Sequence, residues 1–141
     1  MAFTGNYTCN VFKTGLMNGT FNFTSGTFKI ALYTNAASLD ATTAAYTATG
    51  ESSGGNYVAG GQNLTITQVP TVGNTGTVAY INFANVSWSG SILARGALIY
   101  QSGSGNPAVC VLDFGNDKIS SSTFTVQFPA NGNTTSIIRI A

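Results

Sequence analysis

The stretch Phe28-Lys29-Ile30-Ala31-Leu32-Tyr33 decides how this chain is read. Phe28, Ile30 and Leu32 recur every second residue with Lys29 between them, the period of a strand with one buried face. Thr123-Phe124-Thr125-Val126-Gln127-Phe128 repeats the pattern, and Phe21-Asn22-Phe23-Thr24, Leu64-Thr65-Ile66 and Val78 to Phe83 fit it as well. Ile92 to Tyr100 and Ala108 to Leu112 are continuously apolar, as expected of central strands covered on both sides. A last strand is expected from Ser136 to Ile140.

Turn chemistry separates these runs: Gly73-Asn74-Thr75-Gly76, Gly103-Ser104-Gly105-Asn106-Pro107, Gly115-Asn116-Asp117 and Asn131-Gly132-Asn133. The spacing predicts an all-β, antiparallel sandwich or barrel of roughly eight to ten short strands. Residues 35–61 break the rhythm as one long loop whose first part has room for a short helix capped by Ser38. A connection of that length in a compact domain is usually functional or mobile. The 141 residues form a single domain by length, residues 1–141.

Charged residues are 6% of the chain and the net charge is +1, against roughly 25% charged residues in an average soluble domain. That balance offers no field for nucleic acid or an anionic membrane, and the apolar runs are too short to span a bilayer. So little like-charge repulsion suits a protein fixed in an assembly. The N-terminal residues lack the basic and apolar regions of a secretion signal, so synthesis and folding in a cytoplasm are expected, with Cys9 and Cys110 as buried free thiols, each in a strand.

Histidine is absent, which removes the commonest acid–base side chain and metal ligand near neutral pH. Asp113 and Asp117 are the one close pair of acids, and they read as a hairpin turn with Asx-type bonds rather than as glycosidase carboxylates or a calcium loop. Gly103-x-Gly105 is followed by Asn106-Pro107 and a strand where a dinucleotide loop needs a helix. No catalytic residue, cofactor or metal is therefore expected. Tyr80, Trp88 and Tyr100 lie in strands and read as core, whereas Tyr46 and Tyr57 flank the long loop and read as contact residues. Arg95 interrupts an apolar run, which calls for an ion pair or an interface hydrogen bond.

Taken in order, residues 28–34, 46–51, 55–61, 94–100, 112–115 and 124–129 resemble a group of small virion proteins of tailed bacteriophages, the capsid cement or decoration proteins. The likeness runs over residues 20–140 and rests on structural motifs. It implies a jelly-roll-like sandwich that binds the outside of an HK97-like shell, assembled in the host cytoplasm and located on the capsid exterior. It also implies the major capsid protein as partner, together with self-association, a dimer favoured over a trimer by point-group base rates. The expected contact elements are an N-terminal arm, residues 1–8, with Phe3 and Tyr7, and the long loop with Leu39, Tyr46 and Tyr57, joined by Arg95. The alternative is a tail- or head-fibre module that binds host-surface carbohydrate through Tyr46, Tyr57 or Trp88.

Overall fold

The structure is a computed structural model that describes residues 3–73 and 76–141. Met1 and Ala2 of the expected arm, and Asn74 and Thr75 of one expected turn, lie outside the described residues. The chain is mostly antiparallel β-structure: β1 (Tyr7–Thr8), α1 (Asn10–Asn18), β2 (Thr27–Tyr33), β3 (Gln62–Asn63), β4 (Ile66–Val72), β5 (Ala79–Phe83), β6 (Val86–Ser89), β7 (Leu93–Ser102), β8 (Ala108–Ile119), β9 (Thr123–Val126) and β10 (Ile138–Ile140). They form a five-stranded sheet in the order β1-β8-β7-β2-β3, a three-stranded sheet β10-β5-β4 and a two-stranded sheet β6-β9. No helix among the described residues is long and apolar enough to cross a membrane.

The two continuous apolar runs are the centre of the large sheet. β7 pairs with β2 from Thr27↔Ser102 to Tyr33↔Gly96 and with β8 on its other side. Ile30, Leu98, Ile99 and Val111 are completely buried there. The sheets are joined by phenylalanines: Phe23 stacks on Phe28 of β2 with ring centroids 4.3 Å apart, and both rings reach Phe83 of β5. Phe12 of α1 meets Phe21 and Phe23 edge-on. Each such ring buries on the order of 150–250 Å², so this row is the main weld between the sheets.

Four local expectations are corrected. Phe21 to Thr24 is a turn, not a strand, because the Asn22 side-chain oxygen accepts the N–H groups of Thr24 and Ser25. Both phenylalanines are buried all the same. The 35–61 loop holds no helix after Ser38. Asp40 takes the Thr42 amide and hydroxyl at 2.7 and 2.6 Å instead, a side-chain competition that unmakes helices. Asp113 to Asp117 is not a hairpin turn but lies inside β8, where Ala94↔Lys118 and Gly96↔Asp113 leave extra residues bulged. Gly115, at φ 86°, provides the left-handed residue of that bulge. Finally, Cys9 is not in a strand but stands as the N-cap of α1.

At the outer edge of the small sheet, β4 carries Val69 and Val72 exposed to solvent and Pro70 between them. Its pairing with β5 shifts register twice, between Ile66 and Gln68 and again between Gln68 and Thr71.

Candidate binding surface

The long loop is tied to the large sheet by hydrogen bonds. β3 pairs with β2 only at Lys29 and Ile30, so the outer edge of β2 beyond Ile30 needs other partners for its buried backbone. The loop supplies them. The Ser52 amide donates to the Leu32 carbonyl at 2.8 Å, the Thr34 amide donates to the Gly50 carbonyl at 2.9 Å, and the Leu32 amide donates to the Tyr57 hydroxyl at 2.9 Å.

Glu51 organises this arrangement. Its Oε1 accepts the Tyr57 hydroxyl at 2.6 Å and the Gly60 amide at 2.7 Å, and its Oε2 accepts the Tyr46 hydroxyl at 2.7 Å. Tyr100, stacked on Tyr46 with centroids 5.1 Å apart, donates to the Gly60 carbonyl at 2.7 Å. Burial first, and then the hydrogen bond to Glu51, pushes the Tyr46 hydroxyl up to about 12. The same two causes raise Tyr57 further, and burial followed by the Glu51 charge raises Tyr33. Neutral phenols held this way serve as hydrogen-bond donors that pin the loop.

The residues expected to make contacts are therefore placed as follows. Phe3 and Leu39 are buried in the chain's own core, and Tyr46 and Tyr57 are half-buried with their hydroxyls on Glu51. Tyr7 is half-exposed in the edge strand β1, its hydroxyl 2.6 Å from the Thr4 hydroxyl. Arg95 grips Asp113 with two nitrogens at 3.0 and 3.3 Å, and that hydrogen bond holds the Asp113 carboxyl below the usual carboxylate range. Tyr100 and Trp88 are core residues, as their strand positions implied, whereas Tyr80, read the same way, is only half-buried on β5.

An open apolar surface lies elsewhere, around α1. This helix ends in a left-handed Gly19 at φ 82°, and the Thr20 amide returns to the Gly15 carbonyl at 2.9 Å, a Schellman stop. Gly15 is required because a Cβ there would lie 2.4 Å from the Phe21 ring. With Phe12 turned inward, Leu16 is left 37% exposed and Met17 83% exposed. Across from them runs β10, where Ile140 is 50% exposed.

Between α1, β1, β8 and β10 lies a hollow of about 790 Å³, and beside it, under the Phe21–Thr24 turn, a second of about 270 Å³. Phe12, Leu16, Ile138 and Ile140 line both, so the two adjoin as one apolar cleft. Sequence reasoning missed this surface because it missed the helix. The signal was present in the i, i+4 pair Phe12 and Leu16 followed by Gly19.

The cysteines lie beneath the cleft. Cys9 donates its amide to the Val109 carbonyl at 3.0 Å, and Cys110 pairs in register with Thr8. Both are buried and unpaired. Burial pushes the Cys9 thiol up to about 11 and the Cys110 thiol up to about 12. Native protein at pH 8 is expected to resist a thiol reagent, while the denatured chain takes two labels. The folded state favours the neutral thiols, so their contribution is complete below about pH 9, where unfolded thiols start to ionise. It is lost as pH climbs through 11 to 12, and urea unfolding across pH 7 to 12 measures the decline. Labelling of a native thiol at pH 8, or a flat alkaline limb, would contradict this account.

Compared with family models, with curated proteins and with solved structures, the chain matches none.

Proposed function

We propose that this chain is a capsid cement protein, a jelly-roll-like sandwich that seats on the exterior of an HK97-like shell and ties neighbouring major capsid subunits together, as a dimer. The observation that carries the reading is the cleft beside α1, where Leu16, Met17 and Ile140 expose apolar surface on a chain of net charge +1. Contiguous apolar surface of that kind marks a protein-binding site. The resemblance over residues 20–140 supplies the identity of the assembly. Carbohydrate binding asks for open aromatic faces, whereas Trp88 is buried and Tyr46 and Tyr57 are tied to Glu51.

The test uses Met17→Asp and Ile140→Asp. Both sites are exposed, so folding stability should fall by no more than about 1 kcal/mol, the aspartate at Met17 opposing the dipole in the last turn of α1. Burying either side chain against a partner is worth about 2 kcal/mol, so each variant should bind particles roughly thirtyfold more weakly. Cryo-electron microscopy of decorated particles reads occupancy. Wild-type occupancy by both variants, or protein found only at the tail, would overturn the reading.

A further inference from the structure

Resting on the reading just given, we propose that the cleft takes an extended partner segment in which carboxylates alternate with apolar side chains. The larger hollow is bordered by Lys13 of α1 and Arg139 of β10, and none of the side chains lining it is acidic. Among the described residues both cations are bonded to neutral oxygens: Lys13 Nζ donates to Asn10 Oδ1 at 3.3 Å and Arg139 Nη1 to the Thr134 carbonyl at 2.7 Å. The chain's own acids are engaged or placed elsewhere. Asp113 holds Arg95, Glu51 holds two tyrosines, Asp40 holds Thr42, and Asp117 lies on β8. With two cations and at most one main-chain carboxylate, at Ala141, bordering the hollow, the balance of negative charge comes from the occupant.

The backbone fixes the occupant's shape. β1 and β10 are each the outermost strand of their sheet, and both line the hollow. Each carries an edge of amide and carbonyl groups without a neighbouring strand, which an extended peptide can join. Ile138 and Ile140 share one face of β10 and Arg139 projects from the other, so a strand added at this edge meets apolar side chains on one face and a cation on the opposite one. An extended segment alternating apolar with acidic residues is its complement.

The probe is a fluorescein-labelled ten-residue peptide alternating valine with glutamate, and its counterpart with lysine in place of glutamate, titrated with the full-length protein. The acidic peptide should bind at least tenfold more tightly than the basic one. The double variant Lys13→Gln, Arg139→Gln should weaken it at least tenfold, while Lys29→Gln leaves it unchanged. Equal binding of the two peptides, indifference to the double variant, equal competition by an oligothymidine, or a dimer that sedimentation shows Met17→Asp to split, which would put a second copy in the cleft, would each overturn the proposal. Decoration separates the two claims. If Lys13→Gln, Arg139→Gln decorates particles like wild type while Met17→Asp does not, the acidic segment is refuted and the cement role stands. If Met17→Asp decorates normally and the peptide still binds at Lys13 and Arg139, the cement role fails and the cleft remains a peptide site.

Discussion

Glu51→Ala is expected to cost the protein about 3 kcal/mol or more of folding stability. Three donors converge on this carboxylate: the Tyr46 and Tyr57 hydroxyls and the Gly60 amide. Each buried donor left without an acceptor costs roughly 1–3 kcal/mol, reduced for the half-buried tyrosines by water that enters. The damage extends beyond the side chain, because Tyr57 also accepts the Leu32 amide, and releasing it strips the outer edge of β2. Glu51→Gln preserves the shape but brings an amide nitrogen against one of the converging donors, so it should fall between the alanine variant and wild type. Urea unfolding with fluorescence detection measures both, and a loss below about 1 kcal/mol in Glu51→Ala would mean that the loop is held by its backbone bonds and apolar contacts without the Glu51 carboxylate.

Gly61→Ala should be at least as damaging. Gly61 sits at φ 76°, and a Cβ there would lie 1.8 Å from the Ile30 carbonyl oxygen. A left-handed conformation costs a non-glycine residue about 1–2 kcal/mol. The collision adds to that cost, because the obstacle is backbone and cannot rotate away. Relief requires β3 to part from β2 at Ile30↔Gln62. The expected loss is above about 4 kcal/mol, in the exceptional range for one substitution, with little soluble folded protein recovered. Gly105→Ala is the control: its φ is also 76°, but nothing lies within 4 Å of the added atom, so it should show the conformational cost alone. Similar losses in the two variants would show that the steric argument at Gly61 is wrong.

The parts of the fold legible in sequence were those in which burial and period speak together. Ile92 to Tyr100 and Ala108 to Leu112 read as central strands because both faces are covered, and β7 and the first half of β8 are the middle of the large sheet. Local signals were legible but not always what they built. The Asp113–Asp117 stretch carries the side-chain and glycine chemistry of a turn, and Gly115 does adopt a left-handed φ, yet β7 keeps the chain paired to Ile119. Whether such a signal makes a hairpin or a bulge is decided by the neighbouring strand.

Helix α1 was hidden for a related reason. Val11, Thr14 and Gly15 lower its intrinsic propensity, and it persists because Phe12 enters the phenylalanine row. The tyrosines of the loop stand out in sequence as contact residues, and the contact their hydroxyls make is with Glu51 of the same chain. Their partner, Glu51, could not be identified without the fold, since Glu51 reaches the site through its bridge to Tyr33 on β2.

Pro70 has a consequence for how the protein survives when concentrated. A strand at the rim of a sheet is a template for amyloid-like growth, and β4 offers two exposed valines there. Many proteins guard such a rim with lysines, but β4 contains no charged residue. Its protection is conformational: Pro70 lacks an amide hydrogen to offer an incoming strand, and the register shifts on either side of Gln68 bend the rim out of the flat geometry that stacking requires. The guard on this rim is thus a property of backbone shape and not of charge, and a single change of Pro70 to a β-branched residue would remove it.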